Sequence, residues 1–335
     1  MAAAHDCSKA EVFVRIRPEN KKEQKYKAKG NEKFLADYTT DSITIGGRKG
    51  KSSTKVFEYP QQVLGPSCSQ EEAYVSLGLD DLLNKFLFNN QDACVLAYGQ
   101  TGSGKTHTMF GDGLTRDEIR KAHSERSQGE KSSNDGWGIF PRAVLAALDR
   151  IRNPQELQNV ADSKFKVLSW TFSASVIEMY FGEIKDLLNS KKVIPMKMTS
   201  NKNFDFNATK QMRIKCNEDL SKLIDVVFSQ RQSRGTLMND SSSRSHCVTS
   251  LFLSKILVDQ SGKKFVSQTM MQFVDLSGSE RTVKTGLSGT EQIKGTVQGM
   301  EGIMINIDLW ALGNCLCVNI NQDNCSFYPQ VMLWM

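Results

Sequence analysis

Long hydrophobic runs are missing from this 335-residue chain: stretches such as Ala93–Tyr98 fall far short of the roughly 18 to 20 apolar residues that cross a bilayer, so no membrane span is expected. The first residues, MAAAHDCSKAEVFVRIRP, lack a basic segment followed by an apolar core. No secretion signal is expected, and a cytoplasmic address is the default. Metal-ligand spacing is absent as well. The eight cysteines are scattered, and Cys315-x-Cys317 has neither a histidine nor a second cysteine pair near it in sequence, so reduced thiols are the plain reading. There is no internal repeat and no heptad run, so any dimerising coiled coil is expected outside these residues, which do not specify an oligomeric state.

What is there has the composition of an ordinary globular chain, 39% hydrophobic and 24% charged, long enough for one large domain or two. A formal net charge of +6 favours a polyanionic partner, and nucleic acid and the acidic surface of a filament both qualify. Residues Glu11 to Arg17 alternate, with Val12, Val14 and Ile16 on one face, until Pro18 stops the run, which predicts a strand. A lysine-rich loop is expected over 20–33, then short peripheral strands near 42–45 and 55–59. Apolar residues at helical spacing predict a helix from Gln70 to Phe88, leading into a buried strand at Ala93–Tyr98 and a glycine-rich turn. Residues 111–136 are strongly polar and read as a solvated surface insertion. Beyond them the pattern predicts a helix at 141–152, a strand at 165–180 and a helix at 219–232. Strands at 247–258 and 265–275 follow, joined by the turn Asp259-Gln-Ser-Gly262. This mixture implies an α/β fold with a twisted, mostly mixed central sheet flanked by helices on both faces.

Three segments carry chemistry. Gly99-Gln100-Thr101-Gly102-Ser103-Gly104-Lys105-Thr106 satisfies G-x-x-x-x-G-K-[ST] and directly follows the buried strand, the context a phosphate-binding loop requires. Its glycines let backbone N–H groups point at phosphates, Lys105 neutralises the β and γ oxygens, and the Thr106 hydroxyl ligates Mg²⁺. Asp275-Leu-Ser-Gly278, at the end of a strand, is by itself a turn; joined to the loop, Asp275 suits the Mg²⁺ water shell and Gly278 the γ-phosphate. Asn239-Asp-Ser-Ser242-Ser243-Arg244-Ser-His246 is by itself a polar turn. Read with the other two, it supplies hydroxyls to order an attacking water and a cation near the leaving phosphate. No N/T-K-x-D signature for guanine is present, which disfavours a GTPase.

GQTGSGKTHTM, NDSSSRSH and DLSGSE, in this order and spacing, resemble the P-loop, switch I and switch II of kinesin motor domains. Flanking pieces agree, among them Val14-Arg15-Ile16-Arg17-Pro18 and Gly138-Ile-Phe-Pro-Arg142, and the resemblance covers roughly residues 10–314. It implies a P-loop ATPase using ATP and Mg²⁺ and acting on microtubules in the cytoplasm and cytoskeleton, with tubulin and not nucleic acid as its polyanionic partner. Arg15, Pro18 and His107 are then expected on the adenine side, where His107 could equally be structural. Asn239, Ser242 and Ser243 are expected at the phosphates, the metal or the lytic water, with Thr106, Ser243 and, through water, Asp275 as the metal set. Arg244 and Glu280 are expected to form a latch that closes when ATP is bound, its use being switching more than stability. Arg281, Lys284 and Lys294 either meet tubulin or form a solvated charged loop.

The chain departs from the family pattern in places. Ser277 stands where kinesins usually carry alanine, a tolerable change that adds one hydroxyl. The path from Gly286 to Asn306 is longer than usual, and Ile307-Asp308 replaces a Lys-Ser pair, which lowers the expected affinity for the track. The 21 residues after Asn314 cannot hold two helices of about 11 residues, a strand of about 5 and their loops. The expected organisation is therefore an extension at 1–10, an incomplete motor-like domain at 11–314 and an atypical tail at 315–335 that leaves a central strand missing. The alternative is a non-motile nucleotide-binding fragment with weak coupling to the track.

Overall fold

The computed structural model describes residues 11–28, 35–45, 54–59, 62–111, 136–152, 164–180, 182–195, 209–232, 244–279 and 331–334. In chain order its helices are α1 (Lys21–Ala28), α2 (Gln70–Ser76), α3 (Leu79–Phe88), α4 (Lys105–Met109), α5 (Ile139–Arg152) and α6 (Asn217–Gln232). The strands are β1 (Glu11–Arg15), β2 (Leu35–Tyr38), β3 (Ser42–Ile45), β4 (Lys55–Glu58), β5 (Gln62–Leu64), β6 (Ala93–Tyr98) and β7 (Phe165–Tyr180). They continue with β8 (Glu183–Asp186), β9 (Lys192–Ile194), β10 (Met212–Arg213), β11 (His246–Asp259), β12 (Lys264–Asp275) and β13 (Val331–Trp334).

Ten strands form one mixed sheet in the order β5-β1-β13-β6-β12-β11-β7-β8-β9, with β10 also on β7, while β2, β3 and β4 make a small peripheral sheet. The strands from β5 to β12 run parallel, and β12, β11 and β7 then pair antiparallel over long ladders. The turn between β11 and β12 forms as expected: Asp259 Oδ1 accepts from the N–H groups of Ser261 and Lys263. Alternation along β6 and β12 divides the core. Ala93, Val95, Ala97, Met271 and Phe273 face the main cluster with α3, α5 and α6, whereas Cys94, Leu96, Val274 and Leu276 form a second cluster on the other face. In the main cluster Phe140 of α5 meets Phe110 and Phe273 edge-on, at 5.6 and 5.4 Å between centroids. The far end of α3 is held by buried polar groups. Lys255 Nζ donates to the Leu87 carbonyl and Thr269 Oγ1 to that of Phe86, placing a cation and a hydroxyl on the negative end of the helix.

Three sequence expectations are corrected. The lysine-rich segment expected as a loop over 20–33 contains α1, started by reciprocal bonds between Asn20 and Glu23. The helix expected over 70–88 is two helices that divide at Leu77-Gly78, α2 being opened by a capping box between Ser69 and Glu72. The central strand expected to be missing is present, because Val331–Trp334 lies between β1 and β6, pairing with Glu11–Val14 on one side and Val95–Tyr98 on the other. The sheet thus includes residues beyond 314. A four-residue, wholly apolar strand paired on both sides within a parallel sheet offers no alternation to read, so periodicity alone could not find it.

At the two ends of the polar segment, Gly111 bridges Trp137 and the Gly138 N–H donates to the Phe110 carbonyl at 3.0 Å. The two arms are so close that a Cβ on Gly138 would lie 2.6 Å from the Gly111 nitrogen.

Candidate nucleotide site

Strand β6 delivers the chain, buried, to the glycine loop 99–104, and α4 begins at its end. Gly102 and Gly104 take φ values of +75° and +105°, which side-chain-bearing residues rarely adopt, and this lets the loop curl tightly before the helix. Lys105, only 7% exposed, turns back into the curl and donates from Nζ to the carbonyls of Gly99 and Gln100, each at 2.9 Å. Thr106 faces the other way and donates its hydroxyl to Asp275 Oδ2 at 2.6 Å.

Asp275 is in place because β12 runs parallel to β6 with Asp275 opposite Ala97. Past the strand the ladder persists: Leu276 N–H donates to Ala97 O at 3.3 Å and Ser279 N–H to Gly99 O at 3.0 Å, so buried Gly278 is held beside the glycine loop. Asp275 Oδ2 also accepts from Arg231 Nη1 at 2.7 Å, in an ion pair whose side chains are 5% and 1% exposed. Arg231 was not foreseen. It lies on the stripe Leu220, Leu223, Ile224, Val227 of α6, and a cation on a buried stripe is a signal that a buried partner exists. We expect Arg231→Met to leave the Asp275 charge buried and unmatched, lowering stability by about 3–5 kcal/mol in urea unfolding. A loss within error would mean that water reaches the carboxylate.

Behind this layer, His246 at the start of β11 is 6% exposed. Its Nδ1 lies 3.2 Å from the Ser277 N–H and its Nε2 lies 3.3 Å from Ser277 Oγ. Burial pushes the imidazole pKa down to about 4; Asp275 opposes the shift while Arg231 and Lys105 reinforce it. The neighbouring Ser245 donates to Glu178 Oε1 at 2.9 Å. Arg244, half-buried, precedes them directly.

On the opposite side of the loop, both terminal nitrogens of Arg15 are engaged inside the protein, with Gln70 Oε1, Thr108 Oγ1 and the Cys68 carbonyl. Gln70 in turn donates to the His107 carbonyl, so Arg15 and Gln70 together brace α4. Arg17, also not foreseen, donates from Nε to the Gly102 carbonyl at 2.7 Å and pairs with Glu23 of α1. Pro18 is exposed beside it. Of the expected site residues, the structure brings together 99–106, Asp275 and Gly278, with Arg15, Pro18 and His107 flanking. Asn239, Ser242, Ser243 and Glu280 lie outside the described residues, as do Arg281, Lys284, Lys294 and the segment 286–314.

The donor set fits a hard divalent cation. Thr106 and Asp275 offer oxygen only, and Asp275 Oδ1 is buried without a hydrogen-bond partner among the described residues. Ser103 Oγ in the loop is likewise buried and unpartnered.

Comparison with known proteins bears on this arrangement. The family model described as the kinesin motor domain matches residues 15–329. Carboxy-terminal kinesin 2 of Xenopus laevis is 28% identical over 326 residues, covering 93% of this chain and 44% of the relative. Kinesin-like protein KIF13A of Mus musculus is 30% identical over 321 residues, covering 91% of this chain and 16% of the relative. The chain therefore spans less than half the length of these curated relatives. A solved structure described as that of a fast kinesin superposes with a TM-score of 0.69 at 21% identity, covering 97% of this chain and 84% of its own, which establishes a shared fold.

Proposed function

The chain belongs to the kinesin motor domain family, and from that premise we infer that it is an ATP-hydrolysing head that couples nucleotide turnover to binding and release of microtubules. The observation that carries the reading is the 2.6 Å contact between Thr106 and Asp275, residues 169 apart in sequence, which joins the phosphate loop to the Asp-x-x-Gly segment.

The N–H groups of 99–104 cradle the phosphates, and Lys105 transfers its ammonium from the Gly99 and Gln100 carbonyls to the β and γ oxygens. Thr106, Ser243 and, through water, Asp275 would hold Mg²⁺, which when bound would draw charge from those oxygens. Arg231 keeps the Asp275 carboxylate in place from behind. Gly278 offers its backbone N–H to the γ-phosphate, and Asn239, Ser242 and Ser243 order the attacking water. Arg244 closes on Glu280 once the phosphates are held. Arg15, its terminal nitrogens held by Gln70, Thr108 and the Cys68 carbonyl, would stand on the purine side of the site with Pro18 and His107. The place of action is the microtubule cytoskeleton of the cytoplasm.

The test is steady-state turnover of ATP and GTP with and without polymerised tubulin, alongside co-sedimentation. We expect ATP to be preferred, turnover to rise several-fold with microtubules, and co-sedimentation to depend on the nucleotide. Flat turnover and no sedimentation in any nucleotide state would remove the motor reading.

A further inference from the structure

Asp275, Cys247 and Glu178 stand directly opposite one another on β12, β11 and β7, so they form one row across the face of the sheet that Arg231 of α6 covers. At one end of the row Asp275 accepts from Thr106 and Arg231. At the other end Glu178, 3% exposed, accepts at Oε1 from the hydroxyl of Ser245, 1% exposed, at 2.9 Å. The geometry is that of a diagonal cross-strand pair: Ser245 precedes Cys247 by two residues and so shares its face, and Glu178 is the partner of Cys247. Glu178 Oε2 is buried with no hydrogen-bond partner, so among the described residues Ser245 supplies the hydrogen bond this carboxylate accepts. Burial works against the Arg231 charge, and Asp275 and Glu178 are among the groups that favour it, so both carboxylates lie in the field of one cation.

We propose that Glu178 is a positioning residue that acts through Ser245, fixing the root of the segment that carries Arg244. The ladder between β11 and β7 begins at His246, which leaves Ser245 one residue outside it and Arg244 two. The bond to Glu178 holds the chain where it departs from the sheet toward Arg244. The role rests on the nucleotide-site reading above, in which Arg244 closes on Glu280 once the phosphates are held. Those phosphates are held by the glycine loop and Lys105, beyond the other end of the row, so loss of the tie acts on turnover and not on ATP affinity.

The experiment compares the whole chain with Ser245→Ala, Glu178→Gln and the double variant Ser245→Ala with Glu178→Met, by thermal melting and steady-state ATPase kinetics. Ser245→Ala leaves the carboxylate buried without its donor, so it should lower the melting temperature and lower kcat about tenfold, while KM for ATP stays within about twofold. The double variant removes both partners, and its melting temperature should return most of the way to the wild type while kcat stays low. Glu178→Gln keeps an acceptor for the hydroxyl and should keep most of the turnover. A kcat that recovers together with melting in the double variant would show a bond that serves the fold alone, and would overturn the positioning role. So would a folded Ser245→Ala chain of unchanged kcat, a Glu178→Gln chain as impaired as that variant is expected to be, or a double variant that does not fold. If Ser245→Ala alone fails to fold, the double variant decides. Any of these outcomes with a wild type that turns over ATP overturns the positioning role alone; absence of turnover in the wild type would sink the nucleotide reading and the positioning role with it.

Discussion

Deleting residues 331–335 is expected to abolish cooperative unfolding and to leave the chain largely insoluble. Val331–Trp334 pairs with β1 on one side and β6 on the other, so its loss strips partners from two strands at the centre of the sheet. Each backbone group left buried and unpaired costs about 1–3 kcal/mol, and a few such losses exhaust a total stability of about 5–15 kcal/mol. The damage is also local to the site, since Trp334 is in register with Tyr98, the last residue before the glycine loop. Met332→Pro, which removes one N–H from the ladder and leaves the length unchanged, should act in the same direction. Calorimetry and solubility of the three chains decide it. A shortened chain that melts as sharply as the full one would show that this strand does not complete the sheet.

Lys105→Ala should abolish measurable ATP turnover and weaken nucleotide binding by about two orders of magnitude or more, because the ammonium is the main protein charge available to the β and γ phosphates. The lysine is already aimed into the curl, bonded to Gly99 and Gln100 carbonyls that belong to the loop itself. Its removal therefore takes away both the charge and two bonds that shape the loop. Titration with a fluorescent ATP analogue, controlled by thermal melting, separates loss of binding from loss of fold. A folded variant with unchanged affinity would remove the phosphate-loop assignment.

Legibility in the sequence followed the length and periodicity of each element. Strands β7, β11 and β12 are long, their turn is marked by Asp259 and Gly262, and their expected bounds lie within a residue of those observed. The phosphate loop was equally legible, since its residue types are dictated by the backbone curl and not by distant contacts. Helix α1 was missed because Lys21–Ala28 has no apolar stripe; what organises it is the Asn20–Glu23 box and the Arg17–Glu23 pair, of which only the Asn-x-x-Glu spacing is visible in sequence. Strand β13 was missed because four apolar residues gain their meaning from the slot they fill. Arg231 with Asp275, and His246 with Ser277, are 44 and 31 residues apart, and only the fold could reveal those pairings.

The close approach of Gly111 and Gly138 has a consequence for how this protein can change over time. The bridge to Trp137 and the bond to Phe110 join the two arms at their base, so the fold fixes the ends of the polar insertion whatever lies between them. With the ends already together, doubling the number of intervening residues costs only about 0.6 kcal/mol of closure entropy. Length and composition between these two arms are thus under little constraint from the ATP site, while Gly111 and Gly138 themselves admit no side chain without displacing backbone. Related chains are expected to diverge more between these two glycines than at the glycines themselves.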